Sequence, residues 1–200
     1  MSTLDLSPAL YSQQLNEKIA HVKSLFSPFW GKEIDVFESD AEHFRMRAEF
    51  RVWHDNEKTD FIMFDEDRKP YVVTTFPIAS VRVNELMQQV HKAINTQPIL
   101  RHKLYQVEFL TARTGEAVIT LIYHKALGDE WVAAAHALKE ATHAEIIGRS
   151  KKQKLLVEKD HLFEEFTVAG TTYRYQQVEA SFTQPNANVC EKMLNWAVDH

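Results

Sequence analysis

Charged and apolar side chains alternate in FRMRAEFRVWHD, residues 44–55. Arg45, Arg47, Glu49 and Arg51 share one register; Phe44, Met46, Ala48, Phe50 and Val52 share the other. A guanidinium clamps a phosphate or a base carbonyl, and a carboxylate accepts from a ring N–H. A solvated strand face, the usual fate of a charge run, is the alternative. In a second cluster Arg101, His102 and Lys103 precede Tyr105. A tyrosine beside cations can stack an unpaired base, worth about 1–3 kcal/mol per base. It can equally be an ordinary half-buried strand residue. His124 and Lys125 close the apolar run VITLIYHK, and GRSKKQK at 148–154 is the densest basic stretch. That stretch suits either a phosphate backbone or a solvated loop.

Composition narrows these options. The net charge is −5, so a nucleic-acid site must be a local patch on an acidic body. One cysteine, Cys190, excludes an internal disulfide and any cysteine-built zinc or iron–sulfur site. It fits a reducing, cytoplasmic setting. The histidines lack metal-ligand spacing, so no metal is expected. The N-terminus MSTLDLSPAL has neither the basic flank nor the apolar run of a signal peptide. No stretch approaches the roughly 18 apolar residues of a membrane span.

The elements that must position these residues follow from periodicity. Residues 8–26 predict a helix with Ser7 as N-cap, Pro8 in its first turn and Ser27-Pro28 at its end. Tyr11, Leu15, Ile19, Val22 and Phe26 form its apolar face. The 44–55 block predicts a strand, 55–59 a turn, 61–64 a strand, 65–70 a turn and 71–76 a strand. Residues 84–95 predict a helix, and RTGE joins strands 104–110 and 117–123 as a hairpin. Asp129 is expected to cap an alanine-rich helix over 129–144. Short strands follow near Ile146 and at 154–157, and a last one at 171–178. Asn186 caps a final helix with an apolar stripe of Ala187, Cys190, Leu194, Ala197 and Val198. Hairpin-like spacing with few intervening helices predicts an α+β fold, a mostly antiparallel sheet with flanking helices.

Four blocks in order, FRMRAEFRVWHD (44–55), LRHKLYQVEFLT (100–111), LIYHKALGDEW (121–131) and SFTQPN (181–186), resemble the tRNA uracil-5-methyltransferases. Those enzymes form 5-methyluridine in the T-loop of tRNA, with tmRNA a further substrate. The resemblance implies that residues 1–180 recognise the tRNA T-arm and that 181–200 are a loop and a truncated linker helix. It implies that the family's C-terminal Rossmann-like domain, with its glycine-rich cofactor loop and nucleophilic cysteine motif, has no counterpart in this chain.

In the family, a cysteine thiolate adds to C6 of a flipped-out uracil, and C5 takes the methyl of S-adenosylmethionine. A carboxylate then removes the C5 proton. Carried onto this chain, the resemblance places Arg45, Arg47, Glu49, Arg51, Arg101, Lys103, Tyr105, His124 and Lys125 toward RNA. Gln184 of the FTQ loop is placed toward S-adenosylmethionine. Cys190, inside a helix with no neighbouring base, does not match the nucleophile, so the chain alone is expected to be inactive. Ribosomal-RNA members carry an N-terminal barrel and a four-cysteine cluster, which this sequence lacks. A stand-alone RNA-binding or chaperone domain and a protein-interaction domain are the alternatives.

Overall fold

The computed structural model describes residues 7–200; the first six residues of the expected 1–180 segment, and with them most of MSTLDLSPAL, lie outside these. The period-2 pattern of the 44–55 block becomes β1, Arg47–Asp55, whose Ala48 and Phe50 are buried. Its antiparallel neighbours are β2, Lys58–Phe64, and β4, Leu104–Thr111. β3, Pro70–Val72, is shorter than the expected strand and lies at the sheet edge. The RTGE turn joins β4 to β5, Ala117–Tyr123, through Gly115 at φ +89°, where glycine's lack of a Cβ matters. β6, Glu145–Ser150, pairs with β5 in parallel, and β7, Gln153–Leu156, returns antiparallel. The seven strands run β3-β2-β1-β4-β5-β6-β7. The fold is therefore α+β with mostly antiparallel pairing.

Two helices cover one face of this sheet. α2, Val81–Thr96, begins at Ser80, whose hydroxyl accepts from the Val83 N–H at 3.1 Å. α3, Pro98–Arg101, is a single turn that the periodicity did not predict. α4, Asp129–Thr142, has Gly128 rather than Asp129 at its N-cap. Asp129 is instead the first helical residue, where its charge complements the exposed N–H groups. Leu86, Met87, Val90, Ile94, Trp131 and Leu138 pack against Phe50, Phe61, Phe109, Ile119 and Leu121 to make the main core. Such burial contributes about 1.5–3 kcal/mol per large side chain.

The other face is partly covered by a hairpin. β8, His161–Val168, pairs with β9, Thr171–Val178. Sequence periodicity gave β9 alone. Leu162 of β8 packs on Leu110, Val118 and Ile147 of the sheet. An ion pair between the half-buried Arg113 and the buried Glu164 reinforces the docking. Arg113 donates to Glu164 through Nε at 3.3 Å and through its backbone N–H at 3.1 Å. The same guanidinium reaches Glu191 at 3.1 Å and lies over the Phe166 ring at 5.0 Å.

α5, Ala187–Asp199, starts at Asn186, whose side chain accepts from the Val189 N–H at 3.0 Å. Its apolar stripe has a partner within the chain for the first two turns. Ala187, Cys190 and Leu194 pack with Phe166, Val168 and Met46. α1, Tyr11–Phe26, follows a 3-10 turn at Pro8–Leu10 and ends at Ser27. None of its residues is fully buried: Tyr11, Leu15 and Ile19 of the predicted apolar face are half-buried, with Tyr11 Oη accepting from the Ser39 N–H at 2.7 Å, whereas Val22 and Phe26 are exposed.

Candidate nucleic-acid interface

Register, rather than sequence neighbourhood, assembles the polar face of the sheet. Arg51 of β1 pairs with Gln106 of β4, and Glu49 pairs with Glu108. A bulge between Leu104 and Gln106 sets Tyr105 beside Arg51. The Arg51 guanidinium lies over the Tyr105 ring at 4.1 Å, and Tyr105 meets the His124 ring at 4.2 Å. Arg51 of β1, Tyr105 of β4 and His124 just past the end of β5 thus form one platform, with the exposed His124 ring tilted 54° from that of Tyr105. Stacking on such planes is how proteins hold unpaired bases. Arg51 Nη1 is enclosed and has no hydrogen-bond partner among the described residues. An unmet donor there costs about 1–3 kcal/mol, a cost relieved once the guanidinium turns out to an acceptor such as a base carbonyl or phosphate oxygen.

Acidic groups flank the platform. Gln106 Nε2 donates to Glu108 at 2.9 Å and lies 3.4 Å from Glu49. Burial pushes the Glu108 carboxyl above its usual value, and the facing Glu49 charge adds to this; Arg47 and the Gln106 bond oppose it. Like charges directly opposite on paired strands destabilise by a few tenths to about 1 kcal/mol. Glu108→Gln is therefore expected to stabilise the fold by about 0.5–1 kcal/mol at neutral pH. With a folded pKa raised above the unfolded one, the ionised Glu108 costs stability only above that range. The gain should vanish well below about pH 4.3. Urea midpoints for both chains at neutral and acid pH measure it; an equal gain at both would contradict the assignment.

The remaining sequence candidates divide by partner. Arg47 donates to the Ser181 and Glu179 carbonyls, each at 2.8 Å, so it anchors the 181–186 loop to β1. Arg45 precedes β1 and bridges Ala79 and Asn186 through its backbone. The Arg101 side chain caps the Glu57 carbonyl. Lys103 turns the chain at φ +57° with its side chain exposed, beside the platform's strand end. Lys125 donates to the Ile99 carbonyl at 3.2 Å, and burial lowers its pKa.

GRSKKQK is largely committed to structure. Arg149 forks onto Glu179 with two 2.6 Å bonds, and Lys154 pairs with Asp160 at 2.7 Å. Burial works against Glu179's charge, yet the Arg149 pair outweighs it and holds the carboxyl below its usual range. Lys151 and Lys152 of this stretch are exposed. Gln106 and Glu108 escaped sequence reasoning. Their signal was the polar period of LYQVEFLT, which acquires meaning only through the register with β1.

Gln184 is exposed and lines a cavity of about 220 Å3 with Phe166, Tyr175, Phe182 and Cys190. Its loop is held at both ends, by Arg47 and by the Met46 N–H donating to the Pro185 carbonyl at 2.7 Å. Burial pushes the Cys190 thiol up, which disfavours the nucleophilic thiolate. No group of three or more His, Cys, Asp or Glu able to hold a metal occurs among the described residues. No helix among them is long and apolar enough to cross a membrane.

The sequence matches the family described as tRNA (Uracil-5-)-methyltransferase over residues 10–200. It is 51% identical over 196 residues to the "tRNA/tmRNA (uracil-C(5))-methyltransferase" of Cellvibrio japonicus, covering 98% of this chain and 54% of the relative. It is 47% identical to a protein of the same description from Vibrio cholerae, covering 100% of this chain and 56% of that one. The chain thus spans about half the length of the curated relatives it matches. The fold resembles the crystal structure of Pyrococcus abyssi tRNA (uracil-54, C5)-methyltransferase in complex with S-adenosyl-L-homocysteine. The TM-score is 0.69 at 14% identity, over 94% of this chain and 48% of that one.

Proposed function

The chain belongs to the tRNA (uracil-5-)-methyltransferase family, and from that premise we propose that it is the substrate-recognition half of such an enzyme. Residues 1–180 bind the T-arm of tRNA, and 181–200 lead into the half that the longer relatives possess in addition. The Arg51–Tyr105–His124 platform carries this reading: one unmet guanidinium donor and two aromatic rings on a sheet face left open by the helices. A splayed T-loop base stacks on the rings while Arg51 takes a carbonyl or phosphate oxygen. Glu49 accepts from a base N–H, and Arg45, Arg101 and Lys103 contribute attraction to the backbone. Arg47 and Lys125 act through the loops they hold.

Gln184, fixed by the Arg47 anchor, faces S-adenosylmethionine in the parent enzyme, where its amide both donates and accepts. The chain by itself should transfer no methyl group from radiolabelled S-adenosylmethionine to tRNA. Turnover by a pure preparation would defeat that expectation. The recognition role is tested by titrating isotopically labelled chain with a T-arm hairpin. Amide shifts should concentrate at Glu49, Arg51, Tyr105 and His124. Shifts confined to 148–154 would place RNA elsewhere and overturn the proposal.

A further inference from the structure

Far more apolar surface lies open along α1 and α5 than a finished surface carries. Phe26, Phe29, Trp30, Phe37, Met193 and Trp196 line a groove of about 780 Å3. Phe29 is 86% exposed, and the other five are each at least two-fifths exposed. Contiguous exposed apolar patches of this kind mark interaction sites. The groove is framed rather than collapsed. Trp196 Nε1 donates to Asp35 at 2.7 Å, Lys192 Nζ to the Glu38 carbonyl at 2.7 Å, and Asn188 to Asp40 at 2.8 Å. Lys23 and Glu33 pair across the other rim at 3.0 Å. These bonds hold the 31–40 segment against α5 while the aromatic floor stays open. The floor is apolar and its rim mixes Glu33 and Asp35 with Lys23 and Lys32, so it is not the continuous cationic track that RNA phosphates seek.

Resting on the reading of a longer parent protein, the geometry points to the other half of that protein as the occupant. The curated relatives extend well beyond the matched length, so nearly half of each has no counterpart in this chain. One wall of the groove is the C-terminal half of α5, with Met193, Trp196 and Ala197, so any chain continuing from His200 starts near its mouth. A segment tethered there meets the groove at high effective concentration. The additional half therefore seats an apolar segment on Phe29, Trp30 and Trp196, fixing its orientation relative to the Gln184 loop. Asn186 links the two: it caps α5 and donates to Ser39 of the framing segment at 2.6 Å.

Hydrogen exchange on the full-length protein and on the 200-residue chain tests this. Amides in 22–37 and 193–199 should exchange at least about tenfold more slowly in the full-length protein, as docking of an apolar face implies. Phe29→Asp in the full-length protein should remove that protection and leave the exchange of β1 and β4 unchanged. Equal exchange in the two proteins would overturn the proposal. So would protection of the 200-residue chain that rises with its concentration, since a second copy would then be the occupant. T-arm binding by the full-length protein with equal groove exchange would defeat the docking while sparing the recognition role. A reading frame that stops at codon 200 would defeat the parent reading itself.

Discussion

Arg51→Ala is expected to weaken binding of a T-arm hairpin by about 1–3 kcal/mol, roughly five- to 150-fold, while leaving the fold intact. The guanidinium spans 4.1 Å to the Tyr105 ring, and Nη1 meets no acceptor among the described residues. Its contribution to the free chain is thus small: a cation–π contact of about 0.5–1 kcal/mol, offset by an enclosed and unmet donor. Bound RNA changes the balance, because the guanidinium turns to meet a carbonyl or phosphate oxygen and a base packs on the exposed ring. Arg51→Lys retains the charge and loses the planar fork, so its affinity should fall between wild type and Arg51→Ala. The salt slope of binding should fall by no more than about one ion, which distinguishes a stacked fork from a general loss of attraction. Unchanged affinity with an unchanged urea midpoint would remove Arg51 from the interface.

The second large effect concerns stability. Arg113→Ala should cost about 3 kcal/mol, because it strands Glu164, a carboxylate only 1% exposed, beneath the β8–β9 hairpin. Backbone N–H groups of Arg113 and Glu165 still reach Glu164, so the loss falls short of a bare buried charge. Arg113 also reaches Glu191 and Asn188 on α5. Its removal therefore loosens the docking of α5 onto β8 and, through Asn186, the end of the Gln184 loop.

Acid sensitivity carries the same signature. The Arg113 bond holds the Glu191 carboxyl below its usual value. A depressed folded pKa gives stability above the unfolded value and loses it as pH falls through the folded one. Wild type should therefore lose more stability than Arg113→Ala on acidification below about pH 4.3. Urea denaturation at neutral and acid pH measures both effects. A midpoint unmoved by Arg113→Ala would show that the apolar contacts of Leu162 and Phe166 suffice.

The same pair explains what the sequence could and could not convey. β1 was legible because Ala48, Phe50 and Val52 keep strict alternation. β8 was not, because Glu164 occupies an inward position between Leu162 and Phe166, where local pattern demands an apolar residue. Only its partner Arg113, 51 residues away, makes that position tenable. GRSKKQK stays open in the sequence for a related reason: Arg149 and Lys154 acquire their partner only when Glu179 folds beside them. The amphipathic face of α1 was visible, but whether a face is covered is a tertiary fact. Likewise Arg51, Tyr105 and His124 are each legible as residue types, yet their contact depends on the β1–β4 register and the bulge at Tyr105. Arg47 was singled out with them, and the fold turns it toward two carbonyls of its own chain.

The most direct test is a fluorescence titration of the 200-residue chain with a T-arm hairpin and with a hairpin of equal length whose loop is replaced by paired bases. Affinity for the T-arm should be weaker than that of a full-length relative, since the flipped base lacks its catalytic pocket. It should still exceed affinity for the paired hairpin by about tenfold at one ionic strength, and Arg51→Ala and Tyr105→Ala should each erase the difference. Equal binding of the two hairpins, with neither substitution altering it, would contradict recognition by the sheet face.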